Sequence, residues 1–179
     1  MASGFLDQQN AVTRAEQHIR TLVDSGEPLR VVLNELIRSV EQLSPAGMLA
    51  SILILGKDGR HLHQGGAPSL PAEYNAAIDG VEIGPEVGSC GTAAFHDREV
   101  VVWDIANNQL WANFKDVALR NGLRACWSTP IHGSDGRVLG TFANYYPVVR
   151  DPSPVDRELT EMITRAAATA IEQHRVSGN

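Results

Sequence analysis

The chain has 179 residues, with 15 Lys and Arg against 21 Asp and Glu and a net charge of -6. That length fits one ordinary domain of about 100 to 200 residues and excludes a complete multidomain enzyme. The 43% hydrophobic and 20% charged content is that of a soluble globular protein with a real core, and the acidic balance leaves no basic stripe for phosphates, so nucleic acid is not an expected partner.

Cys90 and Cys126 are too few for a disulfide framework, and residues 1–10 lack the basic start and apolar core of a secretion signal. A cytoplasmic location is expected. The longest strongly apolar run, residues 48–55, is far short of the roughly 20 residues a membrane helix needs, so no membrane contact is expected of this segment.

In chain order, Ala15, Ile19, Leu22 and Val23 recur at helical spacing, and so do Leu29, Val32, Leu33, Leu36, Ile37, Val40 and Leu43. Two amphipathic helices are predicted, parted at Asp24, Ser25, Gly26 and Pro28, because proline suits a first helical turn. Residues 51–55, the turn Gly56-Lys-Asp-Gly-Arg60 and residues 61–63 read as a hairpin, and the device returns at residues 129–131, Gly133-Ser-Asp-Gly-Arg137 and residues 138–146. Turn chemistry explains the repetition, since Asp-Gly supplies the positive-φ residue of a tight hairpin. A last helix opens with Ser153 as cap, Pro154 in the first turn and Asp156 facing the free amides, followed by a near-heptad stripe of Val155, Leu159, Met162, Ile163, Ala166, Ala170 and Ile171. Helices at both ends with hairpins between predict an α+β domain in which helices pack on an antiparallel sheet.

The richest stretch for chemistry is Gly88-Ser-Cys-Gly-Thr-Ala-Ala-Phe-His96, followed by an apolar run and Asp104-Ile105. Ser89 is read as the N-cap of a short helix whose free amides would attract an anion, with Cys90 in the same field. Two roles fit Cys90: a small core residue, or a thiol acidified by the helix start and opposed by burial.

These strings, with Leu110-Trp111, Arg124-Ala-Cys-Trp-Ser-Thr-Pro130 and Gly140-Thr-Phe142, resemble bacterial GAF domains of the type fused to sensor histidine kinases and diguanylate cyclases, over residues 28–175. The resemblance implies a GAF-like six-stranded antiparallel sheet, with N- and C-terminal helices packed on one face and a ligand pocket on the other. It divides the chain into an N-terminal signalling helix at residues 1–27, the GAF domain at 28–175 and a tail at 176–179. Pocket candidates are Cys90, Phe95, Asp104, Trp111, Phe114, Trp127, Thr129 and Tyr145, with Arg124 as a possible anion contact or, alternatively, a solvated edge charge. Asp104 is read chiefly as the cap of a short helix beginning near Asn107. The three tryptophans suit either a packed core or an aromatic pocket. On a strand, Cys126, Ser128 and Pro130 share one face while Ala125, Trp127, Thr129 and Ile131 share the other, so Cys126 and Trp127 cannot both line one cavity.

His61 and His63 would project from one side of a strand, but no third ligand is evident nearby, so no metal is expected. A bilin-binding GAF domain attaches its chromophore to a cysteine followed by histidine; here Gly91 follows Cys90 and Trp127 follows Cys126. The Asn-Lys-Phe-Asp-Glu signature of cyclic-nucleotide GAF domains is also missing. The alternative from another class is the free methionine-R-sulfoxide reductases, GAF-fold enzymes that share the Gly-x-Cys-Gly-Thr-Ala string and would make Cys90 a redox thiol. Sulfoxide reduction needs an attacking thiolate and a resolving thiol, and the loop that carries the attacking cysteine in those enzymes reads Gln109-Leu-Trp-Ala-Asn-Phe114 here.

The expected function is therefore a non-catalytic, small-molecule-sensing domain of bacterial signal transduction. It would pass ligand state through terminal helices that pair with a second copy, to a kinase or cyclase module in the same or another chain. The ligand, and any cofactor, is not named by the sequence.

Overall fold

The structure is a computed structural model and describes residues 2–177, with the side chains of the first helix described for Asn10, Ala11 and 13–24. Helices α1 (Ala2–Asp24) and α2 (Leu29–Leu43) open the chain, followed by strands β1 (Leu49–Leu55) and β2 (His61–Gly66). Helix α3 (Ala72–Ile78), the short strand β3 (Val81–Glu82), helix α4 (Gly88–His96) and strand β4 (Val100–Val102) come next. Two 3-10 turns, Ile105–Asn107 and Gln109–Trp111, lead to helix α5 (Lys115–Arg120); strands β5 (Ala125–His132) and β6 (Val138–Tyr146) and helix α6 (Pro154–Val176) complete the fold. Gly178 and Asn179, the end of the expected tail, lie outside the described residues.

The six strands form one antiparallel sheet in the order β3-β2-β1-β6-β5-β4, the predicted α+β architecture. Both predicted hairpins form, and the turn glycines Gly59 and Gly136 take φ of 67° and 78°, the left-handed region that Asp-Gly turns supply. Periodicity places α1 only from Ala15 onward, whereas the helix extends back to Ala2. α3, β3 and α5 carry no periodic pattern long enough to show in the sequence. No helix among the described residues is long and apolar enough to cross a membrane.

Two cores lie on opposite faces of the sheet. On one, Val32, Leu33, Leu36, Ile37 and Val40 of α2 and Ile163, Ala167 and Ile171 of α6 pack with Ile19 of α1 on Ile52, Trp127, Phe142 and Tyr146. On the other, Ala93 and Ala94 of α4, Tyr74 of α3 and Ala118 of α5 cover Leu53, Cys126, Ala143 and Tyr145. The terminal helices therefore gather on one side, and the short helices on the other.

The start of α6 is tied to the sheet. Ser153 and Asp156 form a capping box, with the Asp156 carboxylate accepting from the Ser153 amide at 2.8 Å. The Tyr146 hydroxyl donates to Asp156 at 2.9 Å, and Arg150 donates to the same carboxylate at 2.7 Å while stacking 4.2 Å over the Tyr146 ring. Asp156 is buried and Arg150 nearly so.

Two substitutions test this frame. A Cβ at Gly140, where β6 runs between β1 and β5, would stand 2.1 Å from the Leu53 carbonyl oxygen. Gly140→Ala is expected to cost about 2–3 kcal/mol, a Tm lower by roughly 5–10 °C in a thermal melt; a shift under about 1 °C would contradict the close approach. Asp156→Asn removes the carboxylate bonded to Arg150 and should lower stability in urea by about 2–3 kcal/mol, reduced from the fully buried case by the residual exposure of Arg150. An unchanged urea midpoint would show that the clamp contributes nothing.

Candidate functional site

Beneath α4, between that helix, α3, the Trp111–Phe114 segment and the sheet, lies a cavity of about 20 Å³, lined by Leu53, Tyr74, Ser89, Cys90, Trp111, Phe114 and Tyr145 among others. That volume holds about one water molecule. Larger grooves exist, including one of about 530 Å³ between α1 and α6 on the other side of the sheet and one of about 720 Å³ along the outer side of α4, by Thr92 and His96.

The cavity walls follow from local structure. The Val87 amide donates to the Thr92 hydroxyl at 2.9 Å, and that hydroxyl donates to the Gly88 carbonyl at 2.6 Å, which fixes the first turn of α4. Ser89 does not cap this helix, because the N-cap position is Val87 and Ser89 lies inside the first turn. Its hydroxyl instead donates to the Cys126 carbonyl at 3.2 Å and accepts from the Trp111 indole N–H at 3.1 Å, joining helix, strand and loop in one buried chain. Tyr145 shares a hydrogen bond of 3.2 Å with Ser51 and meets Tyr74 edge to face, with ring centroids 5.4 Å apart.

Around the Cys90 thiol the surroundings are polar but uncharged. Ser128 and Thr141 are fully buried, and their hydroxyls have no hydrogen-bond partner. Both adjoin the Cys90 thiol, which is at most a weak partner for a hydroxyl. Burial pushes the Cys90 thiol up, against a smaller opposing effect from Ser128, Thr141 and Tyr145. Cys126 is pushed well up by burial and then by the neighbouring Cys90. The acidified thiol that a helix start suggests is thus outweighed by desolvation.

Of the residues singled out from sequence, Cys90, Trp111, Phe114 and Tyr145 come together at this cavity. Trp127 does not reach it: it is buried on the opposite face, its ring 4.6 Å from that of Tyr146. Thr129 shares that face and borders a groove with Thr160 and Thr164 of α6. The alternation of β5 puts Cys126 and Ser128 on the cavity side instead. Phe95 is 51% exposed on the outer side of α4, against His96. Asp104 caps the 3-10 turn Ile105–Asn107, accepting from the Ala106 amide at 3.1 Å and the Asn107 side chain at 2.6 Å. Arg124 is exposed at the start of β5, its backbone bonded to Tyr146 and Ile105. The three tryptophans occupy three environments, since Trp103 is 53% exposed.

Sequence reasoning missed Ser51, Tyr74, Ser128 and Thr141. A two-residue period back from Tyr145 through Ala143 finds Thr141, and forward from Cys126 finds Ser128. Tyr74 sits in a helix that no motif marks. His61 contacts Asp58, and the His63 and Asp79 side chains lie 4.0 Å apart, all on the surface. Among the described residues no group of three or more His, Cys, Asp or Glu is placed to hold a metal.

Burial raises four acidic groups here, Tyr74, Cys90, Cys126 and Tyr145. The unfolded chain releases these protons first, at about 8.5 for thiols and about 10 for phenols. Their contribution to stability is complete below about pH 8.5 and is lost as pH rises through the higher folded values. Urea midpoints should therefore fall between pH 8 and pH 10.5, and fall less steeply in the Cys90→Ala, Cys126→Ala double variant; identical pH slopes would contradict the burial of these thiols.

A family model described as GAF domain matches residues 26–172. The chain is similar to the methyl sulfide methyltransferase-associated sensor of Methanosarcina acetivorans, with 32% identity over 158 residues covering 88% of this chain and 16% of that protein's length. Among solved structures it resembles a domain of a protein described as a two-component sensor histidine kinase from Sinorhizobium meliloti 1021, with TM-score 0.69, 18% identity, 86% of this chain and 96% of that one covered. It also resembles the free methionine-R-sulfoxide reductase of Neisseria meningitidis solved with its substrate, with TM-score 0.65, 15% identity, 93% of this chain and 91% of that one covered. At those identities the solved structures establish the fold alone, but the family model spans most of the chain, including the sheet and the helix over the cavity: the chain belongs to the GAF domain family.

Proposed function

We propose that this chain is the sensory domain of a signal-transduction protein, binding a small molecule between α4 and the sheet and passing its state to α1 and α6 on the other face. The observation that carries this reading is the pair of fully buried hydroxyls of Ser128 and Thr141, without a nitrogen or oxygen partner, next to the Cys90 thiol that lines a small cavity. Unsatisfied buried polar groups cost stability, and although Asn34, Asn75, Trp127 and Arg150 also carry one, only Ser128 and Thr141 adjoin the Cys90 thiol, which supports a bound group completing them. The sensor from Methanosarcina acetivorans supports the same reading, although this chain spans only 16% of it. An output module such as a kinase or cyclase, in the same or another chain, and a cytoplasmic site of action belong to this proposal.

The terminal helices supply the output. Ile19 and Val23 of α1 and Met162 and Ala166 of α6 line a groove flanked by Glu16, Arg20, Asp24 and Arg165, an apolar seam with charged margins of the kind that pairs with another helix. A homodimer through this seam is expected, in which residues 28–175 form the ligand-binding unit and 1–27 continue the signalling helix. Sedimentation velocity should give twice the chain mass, and Ala166→Glu should give the monomer; a wild-type monomer at 50 μM, well above micromolar affinities, would argue against this output.

The reductase reading has a fold-level basis in the Neisseria meningitidis enzyme. Chemistry argues against it here. Both thiols are pushed up by burial, so neither is poised as a thiolate. A free amino acid also brings a carboxylate and an ammonium group, and no charged side chain lines the cavity. Incubation with methionine-R-sulfoxide and dithiothreitol should leave the sulfoxide unconsumed. Turnover abolished by Cys90→Ser would overturn the sensor assignment.

A further inference from the structure

Resting on the reading of the α4 cavity as the ligand site, we infer that its ligand is uncharged, carries a hydrogen-bonding group, and has an apolar body that packs between aromatic rings.

The lining contains no Asp, Glu, Lys, Arg or His. The buried residues below it, Ser51, Cys126, Ser128 and Thr141, are also uncharged, and both thiols remain protonated at neutral pH. An ion placed there would lose its hydration and gain no opposite charge, a penalty of several kcal/mol even after relaxation. At the start of α4 the Val87 amide is taken by the Thr92 hydroxyl and the Ser89 hydroxyl is committed to Cys126 and Trp111, so an anion would meet backbone amides alone and no cationic side chain. Behind the lining, next to the Cys90 thiol, lie two buried hydroxyls with no nitrogen or oxygen partner, Ser128 and Thr141, each able to donate to and accept from a ligand group that reaches past Cys90. The apolar contacts come from Tyr74, Trp111 and Phe114.

The cavity of about 20 Å³ must widen to hold more than a water molecule. The wall able to give way is the Trp111–Phe114 side, built from two 3-10 turns and the six-residue α5, with no strand pairing to hold it. The opposite wall is the sheet, locked by β1, β5 and β6.

Three probes of nearly one shape and three charges test this: benzyl alcohol, benzoate and benzylammonium, titrated into the full chain and followed by amide NMR at Cys90 and Tyr145. Benzyl alcohol should shift both amides saturably, and the two ions should require concentrations at least about 100-fold higher. If benzoate or benzylammonium saturates the same amides as readily, the charge inference fails while the site stands. If none of the three shifts them saturably, the cavity is packed core, and both the inference and the site reading fail. A second measurement uses Thr141→Val, which keeps the shape and removes the hydroxyl. The unliganded Tm should rise by roughly 2–4 °C while benzyl alcohol binds about 5-fold more weakly. A lower Tm, or unchanged binding, would show that this hydroxyl is not held open for a ligand group and would overturn its part in the proposal.

Discussion

Strand β6 is buried on both faces from Leu139 to Tyr146, and that constraint organises the molecule. A strand covered on two sides cannot give any side chain to water, so each residue belongs to one core or the other with a period of two. Phe142, Asn144 and Tyr146 serve the helix layer, while Thr141, Ala143 and Tyr145 serve the layer under α4. Gly140 is part of the same constraint, because the strand on its flank comes too near for a side chain. Both faces are thereby held in one register, and the cavity and the long helices are back to back across a single sheet.

Both faces bury polar groups. Under the helices, Asp156 is saturated by Ser153, Arg150 and Tyr146, and Asn144 bonds Thr160 across to α6. This network ties the start of α6 to the sheet. Under α4, Ser89, Trp111 and Cys126 are likewise satisfied, but Ser128 and Thr141 are not. Unpartnered polar atoms thus occur on both faces, since Trp127, Asn34 and Arg150 each carry one on the helix side. Adjacent residues bridge them, since Tyr145 meets Ser51 and Tyr74 while Tyr146 holds Asp156.

Cysteine chemistry follows from the same burial. Family likeness alone leaves Cys90 open to a redox role, because the string around it is shared with sulfoxide reductases. Its environment decides the protonation state: desolvation outweighs both the helix start and the neighbouring hydroxyls. A neutral thiol among hydroxyls and rings is a packing surface.

The sequence by itself determined the layer architecture, the two Asp-Gly hairpins, the capping box at Ser153 and Asp156 and the amphipathic terminal helices, because each is written in local spacing or turn chemistry. It also determined that Cys126 and Trp127 must part company, and only the tertiary structure decided which of them faces the cavity. Period two divides a strand into faces without saying which face meets which layer, so Trp127 and Thr129 went to the helices and Cys126 and Ser128 to the cavity. Phe95 and Ser89 were likewise settled by where α4 begins, its cap lying at Val87, two residues before the serine. Tyr74 and Ser51 were out of reach altogether, because they meet Tyr145 from positions 71 and 94 residues away in the chain, and no local pattern records a contact of that separation.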